Sequence, residues 1–434
     1  MKVCSRMKNI LLIAILFVAL PKRPQAQVSY FPPINNNLPW ETVSPISLGW
    51  CNDNINALYT FLQQENTKAF IVLKDGKIVL EKYFDSFTQD SSWYWASAGK
   101  TITAFLIGKA QEEGFLNINN TSSTYLGNGW TNCTTQQENN IKVWNQLTMT
   151  SGLNDGVPDN HCTLDTCLQF LAPAGTRWAY HNAPYSLLEK VITNATGQNI
   201  NSFTQTRLKN ATGMTGLWYT IDYNNVFISK PRSMARFGLL IQNKGIWNND
   251  TLLRDAAYVQ QMTNTSQSIN LGYGYLWWLN GKNSFMVPTL QTVFPGSYAP
   301  NAALDLYSGL GKNGQIVSVA PGQKLVVVRM GEQPTSSSSD ITIQLCDQIW
   351  EKLNAAMYCN TTFTFNGNGN WTDANNWADN MIPPPILPSG AKIIVDPVAS
   401  GECVLNTIQQ IKTGASISVN NGKKFRIVGN LIQQ

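Results

Sequence analysis

The sequence predicts an α/β (α+β) protein: an antiparallel sheet flanked by helices, a helical region inserted between its halves, and a small β module at the C-terminus. Three observations carry this reading. A helix and a hairpin stand near each end of the first 357 residues. Residues 97–280 between them read mainly as helices and polar loops. After Met357 the composition turns rich in Asn, Gly and Pro, which marks a linker and a change of architecture.

Taken in order, the chain opens with Lys2, Arg6 and Lys8 ahead of the apolar run Ile10–Leu20 and the segment PKRPQAQ. A basic start before a short apolar run is the pattern of a secretory signal, and the run is too short to span a bilayer. Residues 1–26 are therefore expected to be a signal peptide cleaved near Ala26. No cysteine follows the run directly, which argues against a lipid anchor. The expected location is secreted, periplasmic or cell-surface, with no transmembrane segment once the signal is removed.

The stretch CNDNINALYTFLQQ (51–64) reads as a helix, and FIVLKDGKIVLEKYF (70–84) as a hairpin turning at Asp75-Gly76. In WASAGKTITAFLIGKAQEEG (95–114), Ile102, Phe105, Leu106 and Ala110 recur at helical spacing and Gly114 sits where a helix stops. GYGYLWWL (272–279) returns to strand-like residues, and GQIVSVAPGQKLVVVRM (314–330) is a second hairpin turning at Pro321-Gly322. SDITIQLCDQIWEKLNAAM (339–357) is an amphipathic helix with Ser339 as its expected cap. Beyond it, KIIVD, ISV and FRIVG are short strands, with Asn421-Gly422 as a turn. The division expected is thus 27–358 for the main domain and 359–434 for the linker and β module.

Lys and Arg number 31 against 26 Asp and Glu, and the excess forms no basic block, so nucleic acid is not expected as a partner. Of the eight cysteines, Cys4 leaves with the signal. Cys51, Cys133, Cys162, Cys167, Cys346, Cys359 and Cys403 would then sit in an oxidising compartment, where disulfides are favoured and an odd count leaves one thiol over. HCTLDTC (161–167) resembles a metal site only loosely. With two histidines in the chain and no C-x-x-C pair, no metal is expected.

Ser97 and Lys100 stand three residues apart, so within a helix they share a face. A serine at a helix start is ordinarily a cap, and the S-x-x-K pattern recurs at Ser5 and Lys8. A nucleophilic serine also needs a base, an orienting group and an oxyanion hole. Y-x-N occurs at Tyr180, Tyr223 and Tyr358, and K-x-G at Lys74, Lys312 and Lys412. Context selects among them. Tyr180 lies just before a helix that Asn182 would cap and Gly197 would end, whereas Tyr223 falls in a polar loop and Tyr358 beyond the core. Lys312 precedes the second hairpin, Lys74 is in a solvent-facing turn, and Lys412 lies in the C-terminal module despite its literal K-T-G.

With SAGK, LTMTSGL (147–153), YHN, MARFGLLIQNKG (234–245), GYGYLWW and GLGKNGQIVSVAPGQKLVVVRMGE (309–332) in that order, the chain resembles the serine β-lactamase and penicillin-binding-protein superfamily over about residues 45–357. It looks most like the class C-type branch that includes esterases, D-amino-acid peptidases and aminohexanoate-dimer hydrolases. The resemblance implies a β-lactamase/transpeptidase-like fold and cofactor-free acyl transfer through a Ser97 ester. Lys100 and Tyr180 would form the base, with Tyr180 favoured. Its phenol would be eased towards ionisation by Lys100, a helix N-terminus and Lys312. Asn182, Lys312, Asn313 and Gly314 would bind substrate, and the backbone N–H groups of Ser97 and Gln315 would form the oxyanion hole. The substrate would be a small molecule or peptide with a carboxylate near the scissile bond. Asn313, where lactamases carry Thr or Ser, and Gln315 after the glycine depart from the lactamase pattern and favour ester or amide hydrolysis. The alternatives are a class C-like β-lactamase, a D-Ala-D-Ala carboxypeptidase or D-aminopeptidase, and a non-catalytic peptide-binding module of the same fold. Terminal helices lying side by side, as in the superfamily, would let Cys51 reach Cys346. Cys359 and Cys403 would then pin the tail, with one pair among Cys133, Cys162 and Cys167. The tail resembles short repeats on secreted bacterial surface proteins, which implies association with a cell surface. Trp277 and Trp278 are candidates for the cleft wall, though aromatic pairs are more often core.

Overall fold

A computed structural model of the chain describes residues 29–336, 342–359 and 361–433. The expected signal peptide and the Ser339 cap lie outside the described residues. The central sheet is antiparallel and six-stranded, in the order Lys77–Tyr83, Thr67–Lys74, Leu325–Gly331, Gln315–Ala320, Tyr307–Gly311, Trp278–Leu279. Both predicted hairpins are present. The first turns through Asp75 (φ 50°) and Gly76 (φ 83°), the left-handed pair that a two-residue turn requires.

Leu325–Gly331 and Gln315–Ala320 are buried along their whole length, which means that both faces of the sheet are covered. The side chain of Val317 meets Gly238 on the helix Pro231–Gln242. Its neighbour Ser318 meets Cys346 on the helix Ile343–Tyr358. Adjacent strand residues point to opposite faces, so helices lie on both sides. The terminal helices Asn52–Gln64 and Ile343–Tyr358 pack side by side. The helix Lys100–Glu112 runs through the interior, with every residue from Lys100 to Gly108 buried. Its predicted apolar stripe is only part of what it buries, because sheet and helical region enclose it together. Gly108 admits the ring of Tyr258 at a spot where a β-carbon would lie 2.3 Å from it.

Two stretches differ from the sequence reading. GYGYLWWL contributes only Trp278–Leu279 to the sheet, with a single bridge from Tyr273 back to Trp278. Residues 217–229, expected as a loop around Tyr223, form the hairpin Leu217–Ile221 and Asn224–Ser229, whose second strand pairs with Trp93–Tyr94.

The tail is a parallel β-solenoid. Thr362–Phe365, Lys392–Val395 and Ser416–Val419 pair in parallel. So do Gly369–Asn370, Glu402–Leu405 and Lys424–Ile427, and likewise Ile386–Leu387, Ile408–Ile411 and Asn430–Gln433. Each circuit of the chain adds one strand to each of three sheets around a core of Phe363, Phe365, Trp371, Ile393, Val395, Cys403 and Leu405. The expected turn at Asn421-Gly422 is present, but it joins strands of different sheets rather than closing a hairpin. Lys412 pairs with Glu351 of the last domain helix. A cavity of about 560 Å³ lies between tail and domain, walled by Trp50, Met357, Tyr358, Trp371 and Pro383–Pro385. None of the expected site residues lines it.

Among the described residues the disulfides are Cys51–Cys359 and Cys162–Cys167. The pair expected among Cys133, Cys162 and Cys167 is thus Cys162–Cys167, a disulfide where a metal site was the weaker reading. Two expected pairings are corrected. The terminal helices do adjoin, but Cys51 N–H donates to Ala356 O at 2.9 Å, so Cys51 meets the far end of the last helix, beside Cys359. Cys346 faces the sheet at Ser318 instead, and Cys403 is sealed in the solenoid core. Cys133, Cys346 and Cys403 remain free.

Candidate active site

Ser97 lies in the short 3-10 turn Ala96–Gly99 that leads into the buried helix. No side-chain capping bond is made at either start, so Ser97 is not acting as a helix cap. The residue before it, Ala96, holds φ 45°, a conformation that costs a residue with a β-carbon of order 1–3 kcal/mol. Ser97 is half-buried while Lys100, one turn on, is only 4% exposed. That difference leaves the hydroxyl reachable and the amine dry.

Lys100 Nζ lies 3.0 Å from Ser97 Oγ and 2.9 Å from Asn182 Oδ1. It sits between two aromatic faces, 4.1 Å from the Tyr185 ring centroid and 5.2 Å from that of Tyr180. Among the described residues no carboxylate forms an ion pair with it. Burial therefore lowers its pKa from 10.5 to about 7. Tyr180 is held in an aromatic cage, stacked on Trp278 at 5.9 Å and edge-on to Tyr273 at 6.2 Å. Burial pushes its phenol well above the ordinary range, and a hydrogen bond with Ser97 pulls it only partly back. The two shifts run against the expectation that Tyr180 ionises easily. In this site the lysine is the group brought to neutrality near pH 7.

Asn182 is the first residue of the helix Asn182–Ser186, whose cap position is His181. Its side chain is spent on Lys100 and on Asn160 rather than on capping. Trp278 backs Tyr180, whereas Trp277 is fully buried against Phe237 and is core.

Lys312-Asn313-Gly314 forms the tight turn between two sheet strands rather than a strand beside the serine. Asn313 takes φ 61° and its amide donates to Tyr94 OH at 2.6 Å. Gly314, at φ 72°, packs under Arg329 and Leu345. Lys312 is near enough for its charge to help hold the His161 imidazole below its usual pKa, after burial and Lys100. The strand residue lying against the serine backbone is Gly311, not Gln315. A β-carbon on Gly311 would stand 3.0 Å from Ser97 N and 2.6 Å from Trp95 O. Gln315 faces Gly311 across the ladder and is fully buried, with its side chain tied to Gly331 N and O. Sequence reasoning missed Gly311, Tyr185 and Asn160. The doublet Gly309–Gly311 was the available signal, since two glycines in one strand mark a close backbone approach.

Among solved structures, the chain is similar to a protein described as a 6-aminohexanoate-dimer hydrolase from Bacillus anthracis, at 18% identity and TM-score 0.55, over 73% of this chain and 87% of that one. It is also similar to a penicillin-binding protein homologue from Caulobacter crescentus, at 14% identity and TM-score 0.54, over 71% of this chain and 99% of that one. These are likenesses of fold. A Bacillus subtilis protein described as penicillin-binding protein PbpX is 27% identical over 162 residues, 33% of this chain. The match spans only 39% of that relative's length. Residues 62–343, well over half of the chain and enclosing the whole Ser97–Lys100–Tyr180 cluster, match the Beta-lactamase family, so the chain belongs to that family of serine hydrolases.

Proposed function

We propose that this is a secreted serine hydrolase that cleaves an amide or ester bond through a Ser97 acyl-enzyme, with Lys100 as the base and Tyr180 as the proton relay. The observation that carries the reading is the dry lysine 3.0 Å from a reachable serine hydroxyl, with its pKa lowered to about 7. A neutral amine there accepts the Ser97 proton as Oγ bonds to the substrate carbonyl carbon. The oxyanion is received by Ser97 N–H, and we assign the second donor to the strand backbone at Gly311. When the tetrahedral species collapses, the C–N or C–O bond breaks and the leaving group takes a proton passed from Lys100 through Tyr180. Water then adds to the ester carbonyl carbon and gives a proton to Lys100, which returns it to Ser97 Oγ as the acyl C–Oγ bond breaks and the acid leaves. The charge of Lys312, close enough to act on His161 beside Lys100, would favour a substrate bearing a carboxylate. Two disulfides fit an oxidising compartment, which supports export. The solenoid would serve as an accessory module for attachment at a cell surface, and Lys412, held by Glu351, takes no part in turnover.

Intact-protein mass spectrometry after exposure to small esters, aminohexanoate oligomers and β-lactams tests the reading. A stable adduct on wild type, absent from a folded Ser97→Ala variant that also lacks turnover, is the expected result. Undiminished hydrolysis by Ser97→Ala would end it.

A further inference from the structure

Lys100 is served by an asparagine, and an asparagine carboxamide can face either way. With Oδ1 towards the amine, Asn182 accepts from Lys100, as observed at 2.9 Å. With Nδ2 towards it, a donor would oppose a donor once the lysine holds the serine proton. Something must choose between the two, and the choice is made outside the cluster described so far.

Asn160 Oδ1 accepts two hydrogen bonds from Asn182, from the backbone N–H at 2.9 Å and from Nδ2 at 2.8 Å. Only the observed orientation of the Asn182 amide permits the second. Asn160 is itself fixed, because its Nδ2 donates to Asp155 O at 3.1 Å and its carbonyl accepts from Ala183 N at 3.0 Å. The loop that carries it, residues 154–169, is tied across its base by Asn154 N–H to Gln169 O at 2.8 Å and is braced just after Asn160 by the Cys162–Cys167 disulfide. Donation therefore runs in one direction from Lys100 through Asn182 and Asn160 to Asp155 O, while Lys100 also donates to Ser97 at the near end. Reversing either amide would break a bond on both sides of it.

We propose that Asn160 is a positioning residue of the hydrolytic site, holding the Asn182 carboxamide with its oxygen towards Lys100 so that the lysine can carry the serine proton. The inference rests on the Ser97–Lys100 reading above. Asn160 touches neither Ser97 nor Lys100 and acts through Asn182 alone. The other titratable groups around the network are Tyr180, Tyr185, His161, His181, Asp159 and Lys312, with the Asp155–Arg177 ion pair behind the loop. Burial first, and then the charge of Lys100, hold the His161 imidazole below its usual pKa.

The test uses the full chain and a p-nitrophenyl ester, with Asn160→Leu, Asn160→Asp and Ser97→Ala. Asn160→Leu removes the acceptor, so kcat should fall by about 10²-fold with KM little changed. The pH midpoint of the kcat limb should move to lower pH, because protonated Lys100 has lost its oriented acceptor. Asn160→Asp keeps an acceptor facing Asn182 and adds negative charge near the lysine. It should restore most of kcat and move the midpoint to higher pH. A fall in kcat with the midpoint unmoved in both variants would reduce Asn160 to a structural role and overturn the proposal, as would wild-type kcat in Asn160→Leu. If Asn160→Leu does not fold, Asn160→Asp decides alone: a raised midpoint supports the inference and an unmoved one overturns it. Turnover surviving in Ser97→Ala would instead mean that the acyl-enzyme reading itself has failed.

Discussion

Replacing Lys100 by Met should cut activity by orders of magnitude and make the protein more stable, and the gain should depend on pH. Lys100 is 4% exposed and its pKa is lowered from 10.5 to about 7. The folded state therefore opposes protonation by an amount worth about 5 kcal/mol, at about 1.4 kcal/mol per tenfold change. Because the folded pKa lies below the unfolded one, the unfolded chain binds the extra proton between pH 7 and 10.5. Wild-type stability should rise as pH increases across that window, and the full cost should be present below about pH 7. Methionine has nearly the same shape and no charge. Its introduction relieves the roughly 5 kcal/mol at pH 6 but orphans Asn182 Oδ1, at about 1–3 kcal/mol. The net gain at pH 6 should be about 2–4 kcal/mol, shrinking to about zero at pH 9, where most of the cost has already gone. Urea unfolding of both proteins at pH 6 and pH 9 measures this directly. Ester turnover in the same samples should drop by about 10²- to 10⁴-fold. A Lys100→Met variant less stable than wild type at pH 6, or equally shifted at both pH values, would refute the claim that the lysine is held neutral. The wild-type kcat should also climb through about pH 7 as the amine loses its proton.

Arg329 is fully buried, donating to Thr67 Oγ1 at 3.0 Å, to Asn313 O and Gly314 O at 2.8 Å each, and to Glu65 O. Arg329→Met should cost about 3 kcal/mol or more in urea unfolding and raise KM, because the carbonyls of the Lys312–Gly314 turn lose their donors; unchanged stability would show that water replaces them. A chain ending after Cys359, which keeps the Cys51–Cys359 bridge, should retain kcat on small esters within about twofold, as expected of a separable module. Lys412→Ala should likewise leave turnover intact, and a folded truncation without activity would show that the solenoid contributes to the site.

The parts of the fold that could be read from the sequence are those whose signal is local. Asp75-Gly76 fixes its own turn by φ, and Cys346, Ile349, Trp350 and Leu353 declare a helix face by spacing alone. Ser97, Lys100, Tyr180 and Asn182 were legible because a helix brings the first pair together and a loop–helix junction presents the second. What was not legible depends on partners far apart in the chain. The solenoid strands look like any short strands until pairings such as Ile393 with Ile417 make them parallel. Cys51 chooses Cys359 over Cys346 because of where the last helix stops, a difference of register that its face pattern does not record. The direction of the Tyr180 shift needed the surrounding Trp178, Tyr273 and Trp278, since a charge count that includes Lys100 and Lys312 predicts the opposite sign. Asn160 and Gly311 mark the boundary most clearly. Each is an ordinary residue whose importance comes from a neighbour more than twenty or two hundred positions away, an amide oxygen taken by Asn182 in one case and a missing β-carbon beside Ser97 N in the other. The sequence could therefore propose which groups react, while the orientation of the groups that serve them follows from contacts that only the folded chain creates.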